Sequence, residues 1–249
     1  MTSVEEIRRL ERLADTAWPA TVVEEHDGWL LRWAEGPWHR ANSVAPVEAG
    51  TVPLAAKIDH AERWYRERVR PAVFKLHPAA RPDGLEEALV LRGYGAGFSV
   101  SVQARPARRL PGSGVTLHPA PATRWLEAKR EIAGVASERA RHLPSLLGRI
   151  TAPAMFALAD DGDRPAAVGL AVLTEDHVGI FDVAVHPDRR RRGLGTRIVD
   201  ALTSWGAELG ASVAYLQVET GNLAAVTLYE RMGFVERYRY WYRSSAPLA

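Results

Sequence analysis

Apolar residues follow two different periods along this chain, and the two periods predict its secondary structure. A spacing of three to four residues predicts amphipathic helices; it occurs in the stretch that begins after Ser3 and includes Leu13, and in residues 55–69, 85–92, 123–141, 194–205 and 224–232. Alternating or short continuous apolar runs predict strands at 22–26, 29–33, 40–45, 72–76, 98–103, 115–117, 155–159, 167–173, 178–185, 214–218 and 234–243. Helices and strands alternate, which indicates sheets with helices on their faces.

One segment with neither period separates two halves of the chain. Residues 105–114 read RPARRLPGSG, and their proline, glycine and arginine content is typical of a linker. We therefore expect a first domain over 1–104, a linker over 105–113 and a second domain over 114–249. The second domain has the predicted order β-α-β-β-β-α-β-α-β, which indicates a mixed sheet flanked by helices.

The composition excludes several classes of protein. The 249 residues suit two small domains, and 47% hydrophobic with 25% charged residues exclude a disordered or low-complexity chain. No apolar run approaches the roughly 18 residues of a membrane span, and the charged stretch MTSVEEIRRLERLAD lacks the apolar core of a secretory signal. With no cysteine, the chain forms neither disulfides nor a cysteinyl intermediate. We therefore expect a cytoplasmic protein.

The charged residues narrow the choice of partner. The net charge is +2, with 32 basic and 30 acidic residues, and this balance argues against nucleic-acid binding. Almost all basic residues are arginines, so an arginine cluster alone is weak evidence for a binding site. The 8 histidines show no spacing typical of metal ligands, and no metal site is predicted.

The segment FDVAVHPDRRRRGLGTRIV, residues 181–199, carries the most specific chemistry. A buried strand runs into a His-Pro break, then an arginine-rich loop, then a helix. Gly193 and Gly195 let backbone N–H groups approach an anion, while the helix start adds its positive dipole end and Thr196 adds a hydroxyl. This order of elements predicts a cradle for a pyrophosphate. A solvated charge cluster is the alternative for the arginines taken alone.

A second segment, YLQVETGNLAAVTLYERMGF at residues 215–234, places a polar pair on one helix face. Asn222 and Tyr229 are seven residues apart, or two helical turns, with Ala225 between them. Asn222 can hydrogen-bond an amide-containing ligand, although a helix N-cap would also explain it. The Tyr229 phenol has an ordinary pKa of ~10 and is protonated at neutral pH.

Both segments resemble motifs of the GCN5-related N-acetyltransferase (GNAT) family. The matching patterns are Arg190-x-x-Gly193-x-Gly195 and Asn222-x-x-Ala225-x-x-x-Tyr229-x-x-x-Gly233-Phe234. The resemblance covers residues 114–249 and implies an α/β fold with a mixed, mainly antiparallel sheet flanked by helices. It further implies an acyltransferase that moves an acetyl group from acetyl-coenzyme A to a primary amine of a small molecule or peptide.

The resemblance also implies the cofactor-binding residues. Val183, Ala184 and Val185 would contact the pantetheine arm; Arg190, Arg191, Arg192, Gly193, Leu194, Gly195 and Thr196 would hold the pyrophosphate; Asn222 and Ala225 would line the arm; and Tyr229 would stand beside the thioester sulfur.

Acetyl transfer to an amine also requires groups that move protons and a donor that stabilises the oxyanion. An amine with a pKa of ~10.4 is protonated at neutral pH, so a base or a water chain must remove a proton. Asp182, Glu219 and Glu175 are the candidate bases, and the sequence leaves the choice open. A backbone N–H in residues 182–185 is expected to stabilise the oxyanion, and Tyr229 to protonate the leaving thiolate. Without cysteine, direct transfer is favoured over a covalent relay.

The N-terminal half weakly repeats the C-terminal half. AVFKL at 72–76 parallels AYLQV at 214–218, RANSVAP at 40–46 parallels FDVAVHP at 181–187, and Leu89-x-x-x-Gly93-Tyr94 parallels Tyr229-x-x-x-Gly233-Phe234. The chain after Pro46 has neither the arginines nor Gly-x-Gly, and Leu89 stands at the tyrosine position. We interpret this half as a degenerate GNAT-like domain without its own cofactor site, in a tandem arrangement.

In a tandem protein, the first half is expected to form part of the acceptor site. Trp29, Trp33, Asn42 and Ser43 are candidates for lining an acceptor pocket, although tryptophans in a small domain are more often core residues. The expected partner is an amine substrate, not nucleic acid or a membrane, and the chain is expected to be a monomer or homodimer. The alternatives are a coenzyme A-binding regulatory module without turnover and an arginine-dependent nucleic-acid binder.

Overall fold

A computed structural model describes residues 2–110, 114–134, 138–162 and 164–248, which form two compact units. Unit 1 contains the described residues up to Ser101, Glu219–Gly221 and the described residues from Arg237 onward. Unit 2 contains the described residues of Val102–Val218 and Asn222–Glu236. The boundaries of these units differ from those of the predicted domains. The predicted division at 104 and 114 stays a prediction. Residues 111–113 of the predicted linker lie outside the described residues.

Unit 1 is a twisted sheet with helices α1, α2 and α3. The helices are α1 Val4–Ala17, α2 Leu54–Arg66 and α3 Leu85–Leu91, and the strands are β1 Val22–His26, β2 Trp29–Trp33, β3 Val44–Pro46, β4 Val73–Leu76 and part of β5 Gly95–Pro106 and β11 Val235–Ser244. The strand order is β1-β2-β3-β4-β11-β5. The predicted hairpin around Asp27 and Gly28 is confirmed, with His26 opposite Trp29.

Unit 2 contains mixed sheet strands and the helices α4, α5, α6 and α7. Its strands are β6 Thr116–His118, β7 Ala154–Asp161, β8 Arg164–Thr174, β9 His177–Val185 and β10 Val213–Glu219, in the order β5-β10-β9-β8-β7-β6. Its helices are α4 Thr123–Ala133, α5 Glu138–Leu147, α6 Leu194–Glu208 and α7 Leu223–Arg231. The predicted class, mixed sheets flanked by helices, is confirmed in each unit.

Each unit has its own apolar core. In unit 1, α2 contributes Ile58, Ala61 and Tyr65, which pack with Phe74 of β4. In unit 2, the predicted apolar stripe of α6 is buried against β7, β8 and β9, and Ile198 and Leu202 are fully buried there. The stripes that predicted the two helices are therefore the surfaces that hold them on their sheets.

Some predicted elements are wrong in extent, for local reasons. The predicted strand 40–45 is a short 3-10 helix, His39–Ala41, followed by β3, because the Asn42 side chain bonds the backbone of Ala34, Gly36 and Trp38. The single helix expected over 123–141 is two helices, since Gly134 follows α4 with a φ of 86°.

Two residues of the predicted linker lie in a strand. Arg105 and Pro106 belong to β5, and the Arg105 guanidinium binds Asp200 at 2.9 Å and the Met232 carbonyl at 2.7 Å. Residues 142–147 belong to α5, which contains Pro144.

Candidate active site

The site in unit 2 forms where two parallel strands separate. β9 and β10 pair from His177 opposite Val213 to Ile180 opposite Leu216. In the described part of the chain, the two strands show no pairing beyond that point, although β9 extends to Val185. Parallel strands that part at their carboxyl ends open a cleft in the sheet, the usual position of a ligand in such folds.

A β-bulge in β9 sharpens this opening. Val168 of β8 faces Ala184 and Leu170 faces Phe181, so two residues of β9, Asp182 and Val183, lie opposite one residue of β8. Asp182 has a φ of 55°, a left-handed conformation that is uncommon for aspartate. The bulge therefore bends β9 at the cleft and re-aims the side chains beside it.

The bulged strand offers backbone N–H groups to the cleft. His186 N–H donates to the Ala166 carbonyl of β8 at 2.8 Å. Because successive N–H groups of a strand point to opposite sides, those of Val183 and Val185 point away from β8, towards the cleft. Both residues are half-buried. The strand predicted to contact the pantetheine arm thus has one edge without a recorded strand partner beyond Ile180 in the described part of the chain.

The loop after β9 ends in a helix start whose first N–H groups have no recorded partner among the described residues. His186 Nδ1 accepts from the Asp188 N–H, which begins a 3-10 helix over Pro187–Arg189. Gly193 then precedes α6. The N–H groups of Leu194, Gly195 and Thr196 are the first three of α6 and have no partner within the helix. These three donors and the helix dipole favour an anion at this position.

The four arginines of the loop divide into two pairs. Arg189 and Arg192 both bind the Asp161 carboxylate at the end of β7, at 3.1 and 2.7 Å. Among the described residues, no carboxylate forms an ion pair with Arg190 or Arg191, and both are exposed. Sequence reasoning missed Asp161, which showed only as part of a polar turn whose last residue, 163, lies outside the described residues. One pair fixes the loop, and the other is available to an anion.

The two glycines of the motif have different roles. Gly193 has a φ of 75° and open space where a side chain would project, so glycine is required by its backbone conformation. A Cβ at Gly195 would lie 3.1 Å from Leu228 of α7 and 3.7 Å from Val185. Gly195 therefore allows close packing of α6 on its neighbours.

Helix α7 presents the two polar residues predicted for it. The Asn222 side chain caps the helix by accepting from the Ala225 N–H at 3.2 Å, so the N-cap interpretation is confirmed. Tyr229 is 8% exposed and packs edge-to-face on Phe234. Its hydroxyl has no hydrogen-bond partner among the described residues, and burial raises the pKa of Tyr229 to about 12. The phenol therefore keeps its proton at neutral pH.

Asp182 has an ion-pair partner that sequence reasoning missed. Lys129 of α4 places its Nζ 2.7 Å from Asp182 Oδ1. The other carboxylate oxygen, Oδ2, is buried and has no hydrogen-bond partner among the described residues. Because 53 residues separate the two positions, no local pattern indicates the pair. The only signal was that the chain has few lysines.

The other two candidate bases lie elsewhere. Glu175 is in the turn before β9, eight residues from Val183, which is roughly 26 Å along an extended strand. It is therefore not at the cleft, and its candidacy is wrong. Glu219 is the exposed last residue of β10 and is grouped with unit 1. Its predicted catalytic role stays a prediction.

The four predicted acceptor-site residues lie in unit 1. Trp29 is fully buried and its indole N–H donates to the Arg81 carbonyl at 2.9 Å; Asn42 is 4% exposed and bonded to backbone on every side. The Trp33 Nε1 and Ser43 Oγ atoms are buried without a hydrogen-bond partner in the described part of the chain. The role of all four in acceptor binding stays a prediction.

Unit 1 also has a parallel strand pair followed by a loop and a helix, but a carboxylate of the protein binds the N–H groups of that loop. β3 and β4 are parallel, and the chain after β3 leads into α2, as β9 leads into α6. The Asp27 carboxylate accepts from the Thr51 and Val52 N–H groups at 2.9–3.0 Å, while Lys57 Nζ lies 3.3 Å from it. A carboxylate of the chain itself thus uses the donors that an anion would need.

No group of three or more histidine, aspartate or glutamate side chains is arranged to hold a metal ion in the described ranges. No helix in that part of the chain has both the length and the apolar character needed to cross a membrane.

Comparisons with known proteins agree with this geometry. A family model described as "Probable histone acetyltransferase Rv0428c C-terminal" matches residues 4–243. The Bacillus subtilis (strain 168) protein named "Uncharacterized N-acetyltransferase YobR" is 30% identical over 250 residues, which cover 96% of this chain and 99% of that protein.

Two solved structures share the fold. A GCN5-related N-acetyltransferase from Kribbella flavida has a TM-score of 0.70 at 18% identity, covering 96% of this chain and 95% of its own. A tandem GNAT protein from the clavulanic acid biosynthesis pathway has a TM-score of 0.59 at 14% identity, covering 78% and 70%. These likenesses confirm the fold class predicted from the sequence.

Proposed function

Because the chain belongs to the GCN5-related N-acetyltransferase family and is an acetyltransferase of that type, we propose that unit 2 transfers an acetyl group from acetyl-coenzyme A directly to a primary amine of a small molecule or peptide. The observation that carries the proposal is the cleft between β9 and β10, with the three unused N–H groups of α6 beyond its end. Acetyl-coenzyme A has the two parts that this arrangement fits: an extended amide-containing arm and a pyrophosphate.

The residues present fit the cofactor. The N–H groups of Leu194, Gly195 and Thr196 would hold the pyrophosphate, with charge from Arg190 and Arg191. The N–H groups of Val183 and Val185 and the Asn222 amide would bind the pantetheine arm as an added strand binds a sheet edge. Ala184 and Ala225 leave room beside the arm, and Arg192 supports the loop through Asp161.

The chain's own groups supply the proton transfers and the oxyanion contact. The bound thioester would supply an electrophilic carbonyl and a thiolate leaving group. A backbone N–H at the bulge in β9 donates to the oxyanion as it forms. The Tyr229 hydroxyl, protonated because burial raises its pKa to about 12, donates its proton to the departing sulfur.

Asp182 is the group we propose for the acceptor side. Its Oδ1 is held by Lys129, so the carboxylate is fixed at the bulge, while Oδ2 is buried without a hydrogen-bond donor. A buried acceptor oxygen without a donor is costly, and an ammonium group would satisfy it. Oδ2 would thus draw the substrate amine in and take up its proton before attack.

The experiment follows thiol release from acetyl-coenzyme A by the purified full chain with a panel of amines. We expect release that depends on the amine, and an acetylated amine by mass spectrometry. Asp182→Asn and Tyr229→Phe should bind acetyl-coenzyme A as the wild type does but turn over more slowly. Binding without turnover for any amine would instead favour the regulatory module.

A further inference from the structure

A second cavity lies within unit 1, on the side of its sheet covered by α1. It has a volume of about 600 Å³, which is within the usual range for small-molecule sites. The polar face of α1 forms one wall. Apolar side chains of β1, β2 and β3 and of the residue after β3 form the floor: Val23, Leu30, Ala45 and Val47. A ligand here would bury an apolar body against the sheet.

Two of the three carboxylates that line the cavity are already paired with cations of the protein. Glu11 is buried, accepts from the Tyr238 hydroxyl at 2.6 Å and pairs with the buried Lys75. Asp15 pairs with Arg32, which is also buried. The lining contains four arginines and three carboxylates. Glu11 and Asp15 therefore already form ion pairs and are not available to a cationic ligand.

Two donors, in contrast, have no acceptor. The terminal nitrogens of Arg8 bind Glu48 at 2.9 Å and the Val47 carbonyl at 3.2 Å, but its Nε is buried without a hydrogen-bond partner among the described residues. His77 Nδ1 accepts from the Ala79 N–H at 3.2 Å. Burial lowers the pKa of His77, so the neutral imidazole carries its proton on Nε2. No described residue accepts from that nitrogen.

From these contacts we propose that the unit 1 cavity binds a small organic carboxylate with an apolar body. The Arg8 Nε–H and His77 Nε2–H groups donate to the carboxylate, and the apolar part lies on the β1–β3 floor. This site is separate from the proposed acetyl-transfer function of unit 2 and does not depend on it.

The test uses three probes with the same apolar chain: octanoate, octylamine and octanol. Each is titrated into the full chain without coenzyme A, and the Kd is measured by ligand-observed NMR. We expect octanoate to bind at least about tenfold tighter than the other two, since hydrogen bonds to a charged group are the stronger ones. Arg8→Met and His77→Phe should each weaken octanoate binding about tenfold or more. The matched control Arg63→Met, at an exposed position of α2, should not change it.

Every outcome decides the proposal. Anion-selective binding that is lost in both variants, with the Kd for acetyl-coenzyme A unchanged, supports it. No binding of octanoate at millimolar concentration overturns it, as does tighter binding of octylamine that the same variants abolish. Octanoate binding that neither variant weakens also overturns it, because the anion would then lie elsewhere. If a variant melts below the assay temperature, the wild-type probe series still decides.

Discussion

The glycine at the start of α6 offers a sharp test of the phosphate cradle, because a matched glycine follows the other end of the helix. Gly193 has a φ of 75° and Gly210 a φ of 94°, and a Cβ at either position meets no heavy atom within 4 Å. Alanine at either position therefore introduces the same kind of left-handed strain, about 1–2 kcal/mol, without a clash. Only Gly193 adjoins the three unused N–H groups.

The expected magnitude follows from those donors. Relief of the strain at Gly193 would rotate the backbone before Leu194 and remove one or two hydrogen bonds to the pyrophosphate, each about 1.5–3 kcal/mol. Gly193→Ala should thus raise the Kd for acetyl-coenzyme A about 10- to 100-fold or more, since about 1.4 kcal/mol is a factor of ten. Gly210→Ala should leave the Kd unchanged. Both variants should lower the melting temperature by a similar few degrees.

Calorimetric titration gives the Kd values, and thermal unfolding shows whether the two variants are equally strained. Wild-type affinity in Gly193→Ala would refute the cradle. An equal loss in Gly210→Ala would show that strain anywhere in α6 weakens binding, and would contradict a specific role for the three N–H groups.

Three further predictions concern the acid, the ion pair and the filled loop. Tyr229→Phe should lower kcat ~10²–10⁴-fold with the acetyl-coenzyme A Kd unchanged; an unaltered kcat would reduce the phenol to a packing role. Lys129→Met should lower kcat/KM about tenfold or more, and in a double-mutant cycle with Asp182→Asn the losses should not add; additive losses would separate the two residues. The pKa of Asp27 is lowered from 3.8 to about 2 by hydrogen bonds from Thr51 and Val52, so its contribution to stability is present above pH 3.8 and is lost as the pH falls towards 2. Asp27→Asn should make the melting temperature depend less on pH over that range. An unchanged dependence on pH would contradict this role of Asp27.

Periodic patterns predicted the elements well because they report local burial. The helix expected over 194–205 is observed as Leu194–Glu208, and Tyr238, Tyr240 and Tyr242 are all buried on one face of β11, as their alternation indicated. The motif residues of α6 and α7 could likewise be placed, since they lie in predicted helices or directly beside them.

Long-range pairing could not be predicted. The partners of Asp182 and Arg189 lie 53 and 28 residues away, so no spacing rule connects them. The carboxylate that fills the loop of unit 1 comes from Asp27, 24 residues before Thr51. The sequence showed that this loop lacks arginines, but only the fold shows what uses its donors.

The most direct test of the central claim is the change in backbone amide NMR shifts when coenzyme A is added to the full chain. We expect the largest shifts at Leu194, Gly195 and Thr196, followed by Val183 and Val185, and little change in the loop of unit 1 that Asp27 fills. If saturating coenzyme A does not change the amide shifts of Leu194, Gly195 and Thr196, the proposed phosphate cradle is contradicted.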